Sequence, residues 1–327
     1  MQIIRNITTL RKVLDKARRQ GKSIGFVPTM GYFHEGHLTL MRRAKKDNDI
    51  CVVSIFVNAK QFGPQEDLSK YPRDFQRDSS LIKKENDITV LSVFVNPKQF
   101  GPKEDFKKYP RVFQRDKQLA QKEGTDIIFA PSADEMYPKN YLTSIEVACI
   151  TNIMCGASRP GHFKGVATVV AKLLNIVQPH VMYLGQKDAQ QVAVIKAMVR
   201  DLNFPVHIQV VATKREADGL AMSSRNVYLS AEDRRQAPVI YQALRNAQAL
   251  LRSGERSAPD IIKAVRTTIL TQPNAKIQYV ACVDLNTLEP VKAIGGNILI
   301  AVAVFFSKTR LIDNVIIRLN KSRQVKS

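Results

Sequence analysis

Two histidines three residues apart, His34 and His37, lie in PTMGYFHEGH (residues 28–37). The stretch follows an apolar run of strand length, SIGFVPTM (23–30). It precedes a helix-like segment, HLTLMRRAKKDND, with Leu38, Met41 and Ala44 on one face. Open parallel sheets bind ligands at strand-to-helix junctions of this kind. The helix start offers unpaired N–H groups and a positive dipole end to phosphate. Gly31 and Gly36 let backbone approach a ligand closely, and imidazoles at this spacing reach one face and donate to phosphate oxygens as charge develops. HxGH alone is a weak signal, and such histidines are often only surface polar groups; the strand-to-helix setting favours a functional role.

Two further loops suit phosphate. YLGQKDAQQ (183–191) lies at another strand-to-helix junction, with Lys187 placed to neutralise a triphosphate and Asp188 able to cap the helix or bind ligand hydroxyls. DGLAMSSRN (218–226) offers the hydroxyls of Ser223 and Ser224 and the guanidinium of Arg225. Each alone is an ordinary polar loop; three in this order point to one site.

The elements that must position these loops alternate. ICVVSIFVN (50–58), DIIFAP (126–131), VMYLG (181–185) and HIQVVAT (207–213) are predicted strands, and VATVVAKLLNIVQ (166–178) and DAQQVAVIKAMVRDL (188–202) predicted helices. This implies an α/β domain, a parallel sheet with helices on both faces, over residues 1–212. Beyond residue 213, Ser230 with Asp233 three residues on opens a helix predicted to run through APVIYQALRNAQALL toward Gly254. The helix APDIIKAVRTTILTQ and the strands IQYVACVD and NILIAVAVFF follow, a smaller α+β domain over 213–327. The polar tail RLNKSRQVKS is expected to fray.

Composition excludes several classes. The 327 residues carry 50 basic and 29 acidic side chains, a net charge of +21. The basic residues are dispersed, with only short runs such as RRAKK (42–46); Trp is absent, and no zinc-finger, RNP or basic-zipper pattern occurs. Such a charge can mark a nucleic-acid partner or an anionic substrate on a Lys-rich surface; with its basic residues dispersed, the chain is expected to have no nucleic-acid partner. The charged N-terminus lacks a secretory apolar core and ILIAVAVFF (298–306) is too short to span a bilayer, so a cytoplasmic protein without a membrane partner is expected. Cys51, Cys149, Cys155 and Cys282 form no CxxC and have no His at metal spacing, and are expected to be reduced thiols.

PTMGYFHEGH, FVNPKQFGPKEDFKKYPR, RPGHFKGVATVV, YLGQKDAQQ and READGLAMSSRN together resemble the pantothenate synthetase (pantoate–β-alanine ligase) family over almost the whole chain. The resemblance implies a Rossmann-like domain of the HxGH nucleotidylyltransferase type with a small C-terminal lid domain, in a cytoplasmic homodimer. It implies an ATP-dependent ligase: pantoate carboxylate attacks the α-phosphate of Mg·ATP, giving pantoyl adenylate, and β-alanine then displaces AMP to leave pantothenate. Such chemistry needs positioning and charge stabilisation more than covalent catalysis.

By carry-over, His34 and His37 contact the phosphates, with His37 the proton donor. Met30, Gly31, Tyr32, Phe33, Glu35 and Gly36 line the nucleotide site with them. Gly185, Gln186, Lys187 and Asp188 hold ATP, Lys187 on the phosphates and Asp188 near the ribose. Met222, Ser223, Ser224 and Arg225 close on the phosphates from the lid side, and Lys214 stands where backbone holds adenine. Gln191 binds pantoate, and Arg159 is a phosphate or dimer-side contact. Cys155 stands where some members carry an acid and receives no role. Competing readings are another HxGH adenylyltransferase, and an ATP-binding but inactive relative.

The chain departs from the family in carrying the FVNPxQF…YPR segment twice. Residues 46–78 and 84–116, offset by 38 positions, are identical at 24 of 33. The family holds pantoate with the Asn and Gln of this segment, so Asn58 and Gln61 are the candidates in copy one, and Asn96 and Gln99 in copy two. The paired Asp78 and Asp116 are the candidates for a metal contact with Mg2+. Copy one follows the HEGH helix without interruption; copy two keeps the family's proline at Pro97, where copy one has Ala59, and flows into DIIFAP. Only one copy can lie beside the nucleotide-binding strand. Copy one is taken as the working assignment, with copy two as the alternative.

Overall fold

The structure, a computed structural model, describes residues 2–4, 6–29, 33–55, 127–129 and 131–319. The polar tail from residue 320 onward, expected to fray, lies outside them. The chain divides into two units: residues 1–147, 159–185 and 194–211 in the first, and 148–158, 186–193 and 212–327 in the second.

In the first unit β1 (Gln2–Ile4) leads to α1 (Ile7–Arg19), a helix absent from the sequence expectations. Its start is fixed by Asn6, whose Oδ1 accepts from Thr9 N at 2.8 Å, and Leu10, Leu14 and Ala17 form its buried face. Then come β2 (Ile24–Thr29), α2 (Glu35–Asp47), β3 (Ile50–Ile55) and β4 (Ile127–Phe129). Helix α3 (His162–Val177) is buried along nearly its whole length. Its last carbonyls, which a helix cannot satisfy internally, accept from the guanidinium groups of Arg11 (to Asn175 O, 3.0 Å) and Arg18 (to Val177 O) on α1. Strand β5 (Val181–Gly185), α4 (Ala189–Asp201), whose residues 189–193 belong to the second unit, and β6 (His207–Val211) follow.

Strands β3, β2, β5 and β6 form a four-stranded parallel sheet in that order. The Rossmann-like expectation holds, with one adjustment: DIIFAP contributes β4, which pairs in parallel with β1 rather than joining these four. The first copy of the repeated segment supplies β3, which pairs with β2 from Ile24↔Ile50 to Thr29↔Ile55.

The second unit is the expected α+β lobe with two differences. The helix predicted from Ser230 to Gly254 is two helices, α5 (Ala231–Gln236) and α6 (Val239–Arg252). Pro238 divides them, because it lacks an N–H and its ring collides with the carbonyl one turn back. After α7 (Ala258–Ile269) the sheet has three antiparallel strands, β7 (Ala275–Asp284), β8 (Asn297–Phe306) and β9 (Thr309–Arg318), in that order. The strand β9 is the second difference, since the sequence pattern predicts only two. ILIAVAVFF lies in the central strand β8, and Ile300, Val302, Val304 and Phe306 pack with Leu244, Ala247, Ile261 and Val265 of α6 and α7. Among the described residues no helix is long and apolar enough to cross a membrane.

Candidate active site

The order of the four-stranded sheet places its switch point at β2: the chain leaves β2 for β3 on one side, while β5 flanks it on the other. Ligands of open α/β sheets bind beyond the carboxyl ends of the strands at such a point. The β2–β5 pairing covers only Gly25↔Val181 and Phe26↔Met182. Pro28 then occupies an interior strand without needing an N–H toward β5, and the two strands part toward their carboxyl ends. On the other side Thr29 Oγ1 donates to Ser54 O at 2.7 Å, tying the ends of β2 and β3 together.

His34 and His37 stand at this end of β2, at the start of α2. His34 is the N-cap, with extended φ and ψ of −133° and 172°, and its Nδ1 accepts from Gly36 N at 3.2 Å. His34 N in turn donates to His37 Nδ1 at 3.4 Å, so the two imidazoles form a reciprocal capping box in which His replaces the usual Ser/Thr and Glu/Gln. Their ring centroids are 4.1 Å apart. Phe33 is fully buried against Leu38, Met41 and Val27, its ring centroid 5.5 Å from that of His37. Each ring accepts through Nδ1, so the proton of the neutral imidazole sits on Nε2. Glu35 pairs with Arg42, two turns further along the same face of α2. Met30, Gly31 and Tyr32 lie outside the described residues, as do Asn58, Gln61, Asp78, Asn96, Gln99 and Asp116.

The GQKD and MSSR residues other than Gly185, which ends β5, belong to the second unit. Gln186–Asp188 form a single 3-10 turn, in which Lys187 Nζ lies 3.4 Å from both carboxylate oxygens of Asp188. Lys214 to Met222 form a tight hairpin, with Met222 N donating to Lys214 O at 3.0 Å. Ser223 then caps a second 3-10 turn, Ser224–Tyr228, its Oγ accepting from Arg225 N at 3.2 Å; Ser224 is buried and Arg225 half-buried.

Sequence reasoning missed the residues beneath both turns. Asp313 and Asn314, adjacent on β9, are buried. Asn314 Nδ2 donates to the carbonyls of Gln186 and Lys187 at 3.0 and 2.9 Å. Asp313 accepts from both terminal nitrogens of Arg215 at 2.6 and 3.0 Å. Burial pushes the Asp313 carboxyl up, against the opposing pull of Arg215. A polar pair interrupting an apolar strand, RLIDNVIIR, was the available signal.

Other candidates have structural settings. Gln191 is half-buried on α4, while its neighbour Gln190 is buried and donates to the carbonyls of Ile150 and Ile153 at 2.8 Å each. Arg159 Nη1 lies 3.1 Å from His162 Nε2. Cys155 is buried, its Sγ 3.1 Å from Tyr279 OH and 3.3 Å from Arg310 Nη2, and no disulfide joins the four cysteines, all of which are among the described residues. No group of three or more His, Cys, Asp or Glu suited to a metal occurs among the described residues.

The pantoate-beta-alanine ligase family model matches residues 2–86 and again 80–316. Pantothenate synthetase of Moorella thermoacetica is 46% identical over 320 residues, 98% of this chain and 100% of that protein. The corresponding protein of Caldicellulosiruptor bescii is 48% identical over 317 residues, 97% and 99% of the two chains. Pantothenate synthetase from Thermus thermophilus superposes with a TM-score of 0.77 at 40% identity, over 96% of this chain and 99% of that one. A pantoate-beta-alanine ligase from Francisella tularensis, complexed with beta-gamma ATP and beta-alanine, superposes with a TM-score of 0.66 at 33% identity, over 97% of each.

Proposed function

The chain belongs to the pantoate–β-alanine ligase family, and from that premise we infer that it joins pantoate to β-alanine with Mg·ATP as co-substrate, through a pantoyl adenylate. The observation that carries this reading is the pair of capping imidazoles, His34 and His37, at the helix that starts beside the switch point of the sheet. An attacking carboxylate and a departing pyrophosphate are both anions, and the enzyme's task is to hold them in line and to spread the charge that develops. A helix N-terminus with two proton-bearing Nε2 edges suits that task. Lys187 adds a full positive charge for the triphosphate and Arg225 a planar donor set for phosphate oxygens. Asp188 is assigned to the ribose, Lys214 to adenine through its backbone, and Gln191 to pantoate.

Copy one of the repeated segment is assigned to pantoate through Asn58 and Gln61. The pairing of its Ile50–Ile55 with β2 supports this, since it sets copy one on the strand that leads to the HxGH residues. The two stretches matched by the family model overlap at residues 80–86, at the join between the copies, which supports a duplication as the origin of the second. Residues 1–212 would then bind nucleotide and pantoate, residues 213–327 would serve as the lid, and Mg2+ would enter with ATP. A cytoplasmic homodimer belongs to the same proposal, and sedimentation equilibrium tests its stoichiometry.

Purified chain given pantoate, β-alanine and Mg·ATP should release AMP and pantothenate in equal amounts. Bound ATP without AMP would instead identify an inactive relative, and AMP release with a different acid another adenylyltransferase. Gln61→Ala should collapse activity and Gln99→Ala leave it intact; the reverse result would move the pantoate site to copy two.

A further inference from the structure

Strand β9 carries Asp313 and Asn314 where its neighbours Leu311 and Val315 are apolar, and the exposure of the two residues is 3% and 2%. Two polar side chains inside a sheet are costly unless their hydrogen bonds are made, and here those bonds run to the two loops assigned to ATP. Adjacent residues of a strand face opposite ways, so one dipeptide serves two directions.

Asn314 spends both amide hydrogens on consecutive carbonyls of the GQKD turn, Gln186 O and Lys187 O, and its Oδ1 lies 3.3 Å from Gln186 Nε2 as acceptor. A short 3-10 turn leaves such carbonyls without helical partners, and the amide supplies a donor to each. Asp313 grips Arg215 with both oxygens, and Arg215 Nη1 also donates to Gly219 O at 3.0 Å. The same guanidinium stacks 3.7 Å above the Tyr241 ring. Arg215 pairs with Ala221 across the hairpin, one residue before Met222 and the MSSR turn.

We propose that Asp313 and Asn314 are positioning residues for the nucleotide, fixing the GQKD turn and the MSSR hairpin to one strand so that both present their cations at a set spacing. The inference rests on the assignment of those two loops to ATP. Neither residue needs to touch the ligand. Misplacement of a binding group by about 1 Å can cost on the order of a hundredfold in rate, so a rigid common base has a kinetic consequence.

Asn314→Leu keeps the branching of the side chain and removes both donors; Asp313→Asn keeps the shape and removes the charge facing Arg215. Steady-state kinetics and calorimetric titration with Mg·ATP read both, beside the wild-type chain. Each variant should raise KM for ATP by about tenfold or more, weaken ATP binding to the same extent, and leave KM for β-alanine within about twofold. An unchanged KM for ATP in folded variants overturns the proposal, as does an equal fall in kcat with every KM unmoved. Loss of the fold in both variants also overturns it, since the pair would then be a requirement of the core alone. Wild-type chain that neither binds ATP nor releases AMP refutes the functional reading itself, a result separate from any difference between wild type and variants.

Discussion

The side-chain amide of Asn48, the residue that caps the C-terminus of α2, donates to the phenol oxygen of Tyr183 at 2.8 Å. Tyr183 OH donates in turn to Asp47 Oδ2 at 3.1 Å, and Asn48 Nδ2 also donates to Ala44 O at 2.9 Å. The helix that begins with the capping histidines is therefore fastened at its far end to β5. Gly25 of β2 lies beneath this junction, where a Cβ would come within 2.7 Å of Asn48 Nδ2 and 3.2 Å of the Tyr183 ring.

Tyr183→Phe removes the phenol oxygen and little volume. Asn48 keeps its bond to Ala44, and Asp47 keeps Arg43 at 2.6 Å. The expected loss is about 1 kcal/mol, the net contribution of a typical protein hydrogen bond. A lower urea midpoint at unchanged slope would confirm it; a midpoint equal to wild type would show that the junction does not hold α2.

The same phenol gives a pH dependence. Burial pushes Tyr183 up to about 12, against the opposing hydrogen bond from Asn48. In the unfolded chain it ionises near 10. The neutral phenol is favoured by the fold, so its contribution is complete below pH 10 and lost as pH rises from 10 through about 12. Between pH 9 and pH 11 wild type should lose more stability than Tyr183→Phe in paired urea titrations. Parallel losses would show that Tyr183 does not titrate differently in the folded chain.

The parallel sheet was legible because its strands are short apolar runs ended by turn residues, and VMYLG is β5 to the residue. HxGH was legible as chemistry because two imidazoles opened a helix. Its capping geometry was not, since His is an unusual partner in a capping box. Strand β9 was hidden by Asp313 and Asn314, which break the apolar pattern, and the stabilising partners lie about a hundred residues away in sequence. Long-range polar pairing of that kind leaves no periodicity. The break at Pro238 was visible as a residue but overruled by the helical pattern on both sides of it.

Gly219 has a φ of +94°, and a Cβ there would come within 2.5 Å of Tyr241 Cδ1. Gly219→Ala therefore meets both a backbone conformation that L-residues avoid and a ring already held under Arg215. A loss of about 1–3 kcal/mol is expected from the strain alone. The hairpin leads directly into Ser223–Arg225, so KM for ATP should rise as well. Wild-type stability and KM together would show that this turn accommodates a side chain.

The two histidines both cap α2 and, on the proposed reading, hold phosphate; substitutions can separate these roles. Asn is among the strongest N-cap residues, and Gln at the third helical position closes a capping box. His34→Asn and His37→Gln therefore replace each ring by a side chain that can make the same local bond, His34 Nδ1 to Gly36 N and His37 Nδ1 to His34 N. Stability should stay within about 0.5 kcal/mol of wild type, because little apolar area or backbone bonding changes. AMP release should nevertheless fall by about 10²–10³ in kcat, the usual effect of removing one donor from a developing anion. A loss of stability without loss of turnover would make the imidazoles caps and nothing more. Retained stability with collapsed turnover would assign the rings to the phosphates, since the Asn and Gln amides keep an acceptor for the cap and N–H donors but cannot take up and release a proton as an imidazole does.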